Sequence, residues 1–325
     1  MDFATTEIEG MLIESATTFA ERCLRPRERS HEKAGEPDAE TRRAWAECGL
    51  DMLADSSGEL EVSGPGRVQV LRALAAADGA ATLALWLPAL ARSAAQSLGV
   101  IPGEELTLTA VLLEPEVEGV DWPRPCLPMG QGKAVLVLGR EGDWGLARVE
   151  TEGVLSLGLK AAGMASATFV DWEQRGSVAP EQAAAVRASV RLSAAALLVG
   201  IACAARDYVA GYLPERVAFG KPLSEHQGLA FLFADMAMAT EAADLLVCRA
   251  AWELDCDRPE AAVDAWLQAR EAALRVTDLG VQLLGGHGYM DDHPVEKWMR
   301  DARALALLFG GEDEALREAA AQVEL

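Results

Sequence analysis

The chain has 325 residues, half of them apolar and a quarter charged, with a formal net charge of −22. That length buries a large core and normally divides into two or three domains. The charge argues against nucleic acid and anionic membrane surfaces as partners, so any anionic ligand must be held by locally placed Arg, Lys or helix N-termini.

The N-terminal run MDFATTEIEG is acidic and carries no signal-peptide core, and no window reaches 18 consecutive apolar residues. A cytoplasmic location is therefore expected. The six cysteines form no CxxC pair and no Cys/His ligand spacing. They read as small core residues in a reducing compartment.

Helical patterns fill residues 1–102. TEIEGMLIESATTFAERCL places Ile8, Met11, Leu12, Phe19 and Cys23 near a 3.6 period. AETRRAWAECGLDML is a second pattern, ending at Gly49. The stretch GRVQVLRALAAADGAATLALWLPALARSAAQSL is a longer helical pair, set off by the turn-rich SSGELEVSGPG.

Residues 103–180 change character. LTLTAVLL, KAVLVLG, WGLARVE and ATFVDWE are short β-rich runs separated by Pro and Gly clusters. This predicts a small β domain of about 75 residues.

From residue 181 the helices return and lengthen. One runs to Pro214, which ends or kinks it. The next carries Leu229, Leu232, Met236, Ala243 and Leu246 close to one face. A third begins with Pro near its first turn and stops at a glycine pair. A fourth starts near Pro294. Four long helices with short links predict an antiparallel bundle over 181–325.

There is no phosphate-binding GxGxxG or P-loop, no HExxH and no GxSxG. The four histidines form no metal spacing. Two stretches are richer than a plain bundle needs. In ERVAFGKPLSEHQ (215–227) a cation, a ring and a glycine sit in a tight break before a helix N-terminus. That set suits an anion bearing a flat group. The alternative is a surface turn with an Arg–Glu pair. In QLLGGHGYMDDHPVEKWMRDAR (282–303) Gly285, Gly286 and Gly288 let backbone approach a ligand or a neighbouring helix, and Gln282 reaches a polar edge. The alternative is a helix C-cap and turn.

Together these stretches resemble the acyl-CoA dehydrogenase family. The first matches its R-x-x-FGK-x-L-x-x-x-Q helix pair, the second its Q-x-x-GG-x-GY…P-x-E-x-x-x-RDA signature. The strong part covers 208–311, and the N-terminal helices are similar more loosely. The resemblance implies a mostly α fold with a small β domain: an N-terminal helical domain (1–102), a reduced middle β domain (103–180) and a C-terminal four-helix bundle (181–325). It also implies FAD lying between subunits, with the bundle of one subunit reaching the nucleotide end of its partner's flavin. Carried over residue by residue, that cross-subunit set is Arg216, Phe219, His226, Gln227, Gln282, Gly285 and Gly286. Arg191 falls where the family has an arginine that contacts acyl-CoA.

Two departures matter. The family's flavin-ring loop keeps Glu114 and Pro115, but its threonine position is Leu113 and its serine position Val120, and nothing matches its tryptophan loop. The family's catalytic glutamate, which removes the substrate α-proton while hydride passes to flavin N5, stands in a turn after RDA. Here that position is Phe309, followed by Gly310 and Gly311. An alternative family position for the base, one residue before the CoA arginine, is Val190. Neither takes a proton, although a positioned base is worth ~10²–10⁴-fold. Glu312 and Asp313 are the nearby carboxylates, and as first-turn acids of a helix they are expected to face solvent.

The expectation is therefore a non-catalytic partner subunit in an FAD-dependent α2β2 heterotetramer. That assembly would oxidise an acyl-CoA, of steroid or other bulky type, to the trans-2-enoyl-CoA. A homo-oligomeric dehydrogenase with Glu312 as displaced base and a flavin-free scaffold are the alternatives.

Overall fold

A computed structural model of the chain describes residues 5–54, 62–101, 107–114, 126–130 and 132–323. Helix α1 (Glu7–Phe19) opens with a capping box: the Glu9 backbone N–H donates to the Thr6 hydroxyl, and the Glu9 carboxylate accepts from the Thr6 backbone at 2.8 Å. Helix α2 (Glu28–Ala34) is short and charged, and lacks the apolar spacing that would reveal it in the sequence. Helix α3 (Ala39–Cys48) starts on an Asp38 side-chain cap and stops at left-handed Gly49.

Helix α4 (Gly64–Ser97) is the expected helical pair, broken at Asp78, whose backbone is extended (φ −158°, ψ 99°). The Asp78 carboxylate accepts from the Ala81 N–H at 3.2 Å and so caps the second half.

A five-stranded sheet follows, in the order β1-β3-β4-β5-β2: β1 (Leu108–Leu113), β2 (Cys126–Pro128), β3 (Ala134–Leu138), β4 (Asp143–Gly153) and β5 (Met164–Ser177). The β1–β3 pair is parallel and the other three are antiparallel. Strand β2 lies in the Pro-rich run that the sequence presents as a break between strands. All of β1 and β3 is buried.

Helix α5 (Pro180–Glu215) spans about 54 Å at 1.5 Å per residue. Gly200 is needed where it meets α4, because a Cβ there would lie 2.6 Å from the Arg72 carbonyl oxygen. Both α4 and α5 are long and apolar enough to cross a membrane, but the apolar windows are 72 % and 89 % buried inside the chain, where they build the core. A two-residue hairpin, β6 (Val217–Ala218) and β7 (Lys221–Pro222), leads to α6 (Gln227–Asp255), α7 (Ala261–Leu284), α8 (Val295–Leu305) and α9 (Gly311–Gln322).

The three regions are joined by a buried charged cluster. Lys297 of α8 reaches Asp78 at 3.0 Å, Asp301 at 2.7 Å and Glu28 at 3.5 Å. Asp301 also accepts from the Leu159 backbone N–H at 2.6 Å, and Trp298 Nε1 donates to Glu28 at 2.9 Å. Burial pushes the Glu28 carboxyl up to about 7, against the pull of Lys297.

Candidate functional site

The β6–β7 break ends α5 at Arg216, whose backbone N–H still donates to Tyr212 at 3.1 Å. Phe219 and Gly220 form the tip, both with positive φ (51° and 84°). A left-handed phenylalanine is uncommon and carries a conformational cost. The ring is 97 % exposed, although burying a Phe side chain is worth ~1.5–3 kcal/mol. His226 backs the tip: its Nε2 lies 3.1 Å from the Ala218 carbonyl, and its ring meets Phe219 edge-on at 6.2 Å. Gln227 begins α6, exposed. Arg216 is exposed and pairs with no carboxylate among the described residues, so the Arg–Glu surface turn does not form.

The second stretch comes to the same end of α5. The Tyr212 hydroxyl lies 2.8 Å from His287 Nδ1, and Tyr208 holds His293 in the same way at 2.7 Å. The His287 and His293 rings stack, 5.3 Å apart. Gln282, Gly285 and Gly286 are exposed. A Cβ added at Gly285 or Gly286 would meet nothing within 4 Å; at Gly285 the positive φ of 61° itself favours glycine, but at Gly286 neither packing nor a left-handed backbone does. At Gly288 packing does, because a Cβ would lie 2.3 Å from the Val281 carbonyl oxygen. The face therefore offers a free guanidinium, an exposed ring, two amides on a helix end and an open glycine backbone. That is a donor set for a phosphorylated ligand bearing flat rings.

The opposite end of the molecule is closed. Phe309 is 3 % exposed, with φ 56°. Its neighbour Gly310 is where the chain comes closest: a Cβ there would lie 2.9 Å from the Glu314 side chain and 3.0 Å from the Leu113 carbonyl oxygen. The end of β1 and the first turn of α9 are what Gly310 admits, whereas a Cβ at Gly311 would meet nothing within 4 Å. Val190 is buried and apolar.

Arg191 is fully buried on α5 and ion-pairs with Glu318 of α9, while its Nε and Nη2 find no protein acceptor. Burial lowers its pKa. In this arrangement its charge is taken up inside the chain rather than offered to a ligand. Its neighbour Arg187, also buried, donates to Glu314 at 2.8 Å, Glu318 at 2.8 Å and the backbone carbonyls of Glu114 and Leu138 at 3.1 and 3.0 Å. Arg140 completes the set at 2.8 Å from Glu314. Burial, reinforced by Glu314, raises the Glu114 pKa. Burial also opposes ionisation of Glu318, but Arg191 and Arg187 together outweigh it and lower its pKa. This cluster was not foreseen. Its trace in the sequence is a pair of arginines four apart on one helix and a pair of glutamates four apart on another.

Glu312 is half exposed and pairs with Arg270 at 2.9 Å, and Asp313 is exposed. Pro115 and Val120 of the flavin-ring loop lie outside the described residues. The free cysteines are dispersed, and no group of three metal-ligating side chains occurs among the described residues.

Residues 182–325 match the family model "Acyl-CoA dehydrogenase, C-terminal domain". The chain is 44 % identical over 119 residues to the probable acyl-CoA dehydrogenase YngJ of Bacillus subtilis, a match covering 36 % of this chain and 31 % of that protein. The aligned stretch thus spans about a third of the curated relative's length. Over 99 % of both chains the fold superposes on butyryl-CoA dehydrogenase from Megasphaera elsdenii, with a TM-score of 0.80 at 22 % identity. A glutaryl-CoA dehydrogenase from Mycobacterium smegmatis, solved in complex with FADH2, superposes over 98 % of this chain and 95 % of its own, with a TM-score of 0.77 at 15 % identity. Residues 182–325 thus resemble an acyl-CoA dehydrogenase C-terminal domain, and the chain shares the fold of the acyl-CoA dehydrogenases on which it superposes.

Proposed function

We propose that this chain is the non-catalytic subunit of a heteromeric, FAD-dependent acyl-CoA dehydrogenase, gripping the nucleotide end of a flavin whose reacting ring belongs to a partner subunit. When bound in that partner, FAD supplies the hydride acceptor for acyl-CoA oxidation. The observation that carries the reading is a contrast within one molecule. Arg216, Phe219, Gln227, Gln282, Gly285 and Gly286 are exposed, while the position of the family's base is a buried phenylalanine.

The residues of this chain have distinct roles in that assembly. Arg216 supplies the fixed positive charge for a pyrophosphate, which an acidic chain otherwise lacks. Phe219, held by His226, lies against a flat group. The exposed backbone at Gly285 and Gly286 admits a close-lying nucleotide, with Gln282 and Gln227 at its polar edges. On α6, Phe231, Met238 and Leu245 are exposed at seven-residue spacing, an apolar stripe that suits helix packing against the partner. None of these residues moves a proton. A steroid or other bulky acyl group for the partner's substrate, and an α2β2 arrangement, complete the proposal.

A homo-oligomeric enzyme with Glu312 as base is less well supported. Its carboxylate is held by Arg270 on the exposed side of α9.

The test is to purify the chain alone and after co-expression with a catalytic subunit of the family. Flavin and acyl-CoA oxidation are expected only in the co-purified assembly. Equimolar flavin with turnover in the lone chain would overturn the proposal.

A further inference from the structure

Arg216 and the Gly285–Gly286 turn lie about 70 residues apart in sequence, yet both stand at the same end of α5. Tyr212 is the residue that ties them together. Its backbone carbonyl accepts from the Arg216 N–H at 3.1 Å and closes the last turn of α5. Its hydroxyl is hydrogen-bonded to His287 Nδ1 at 2.8 Å, and His287 directly follows the glycine pair.

The turn itself is loosely held. Gly285 stands at φ 61°, ψ −132°, the mirror image of extended backbone, which is open to glycine. Neither glycine has a neighbour that a Cβ would touch. Among the described residues, the Tyr212 hydroxyl makes the one side-chain hydrogen bond that reaches residues 285–289.

The far end of the same loop is held several times over. His293 is hydrogen-bonded to Tyr208, one turn before Tyr212 on α5, at 2.7 Å. Its carbonyl accepts from Arg29 Nη2 at 2.9 Å, and its N–H donates to the Met290 carbonyl at 3.0 Å. The His293 ring also stacks on His287, 12° from parallel, so the secured end backs the His287 ring. Tyr212 therefore fixes the loose end of the loop, and Tyr208 an end that other bonds already hold.

We infer that Tyr212, acting through His287, is a positioning residue that sets the glycine turn at the distance from Arg216 that a bound nucleotide requires. The inference rests on the reading of this face as the grip on FAD. The hydroxyl adds no charge to the face, so its effect on the nucleotide comes through the placement of the turn.

Flavin affinity, measured on wild-type and variant chains each co-purified with the same catalytic subunit, tests it. Tyr212→Phe keeps the ring, removes the hydroxyl and should weaken flavin about fivefold, the effect of one hydrogen bond. Tyr208→Phe is the matched control: it loses a like bond one turn away and should lower the melting midpoint to the same extent, yet weaken flavin by less than about twofold. His287→Phe should weaken flavin as Tyr212→Phe does, and the double variant no further, because both remove the same bond. His287→Phe decides the matter if Tyr212→Phe fails to fold. Unchanged flavin in Tyr212→Phe, equal flavin loss in the two tyrosine variants, or additive losses in the double variant would overturn the inference. Arg216→Ala separates it from the reading beneath it. Flavin lost with Arg216→Ala but kept with Tyr212→Phe contradicts the inference alone, whereas flavin kept with Arg216→Ala removes both.

Discussion

Lys297 is the side chain on which the junction of the three regions depends, and Lys297→Met is the sharpest test of that role. The ammonium is fully buried and faces three carboxylates, Asp301, Asp78 and Glu28, at 2.7, 3.0 and 3.5 Å. Burial favours the neutral lysine, but these carboxylates outweigh it and raise its pKa. Methionine matches the stem but leaves Asp78 and Asp301 without their counter-charge. Breaking a buried pair from one side costs ~3–5 kcal/mol, and at roughly 2–4 °C per kcal/mol the midpoint should fall by about 6–20 °C.

The cost should shrink at lower pH, because orphaned carboxylates can take up protons. In the intact protein the sign follows from Glu28. Its folded pKa, near 7, lies above its ordinary value of 4.5, so the folded state holds more protons in that interval. Glu28 therefore contributes stability at low pH that is lost as pH rises from about 4.5 to about 7, and changes little above that. Urea denaturation at pH 6 and pH 8 measures both effects. A loss under about 1 kcal/mol at pH 8, or an equal loss at the two pH values, would refute the reasoning.

Other consequences are as specific. Arg187→Ala should cost ~2–4 kcal/mol in urea denaturation, because it strips Glu314 and Glu318 of their main buried partner and removes a donor from the Glu114 and Leu138 carbonyls. A loss near zero would mean that Arg140 and Arg191 suffice. Phe309→Glu should lower the melting midpoint and yield no acyl-CoA oxidation in the lone chain, since the new carboxylate is buried near Glu314. Turnover by that variant alone would contradict the closed end described here. Gly286→Val should leave the melting midpoint within about 1 °C, because its Cβ meets open space, yet reduce flavin in the co-purified assembly. Unchanged flavin would remove the glycine turn from the site.

The long elements are legible in the sequence because their apolar periodicity and stop signals agree. The break at Asp78 in α4 and the end of α5 past Pro214 both follow from local chemistry. Helix α2 is hidden because its seven mostly polar residues carry no apolar period, and β2 because three residues in a Pro-rich run look like a break. The parallel β1–β3 pairing has no local signal at all. The residues of the proposed nucleotide face stand out because they lie close together in two short motifs. The closed end does not, because Arg191 reads as a free helix arginine until α9 folds back to bring Glu318 against it. The close neighbour of Gly310 likewise comes from β1, where Leu113 lies almost 200 residues away in sequence.

The central claim is that this chain holds a nucleotide for a reaction centre it does not contain, and Arg216 tests it most directly. Flavin absorbance per assembly should be measured for the wild-type and Arg216→Ala chains, each co-purified with the same catalytic subunit. The account predicts an intact assembly with most of its flavin lost, restored in part by Arg216→Lys. Full flavin occupancy in the Arg216→Ala assembly would contradict it.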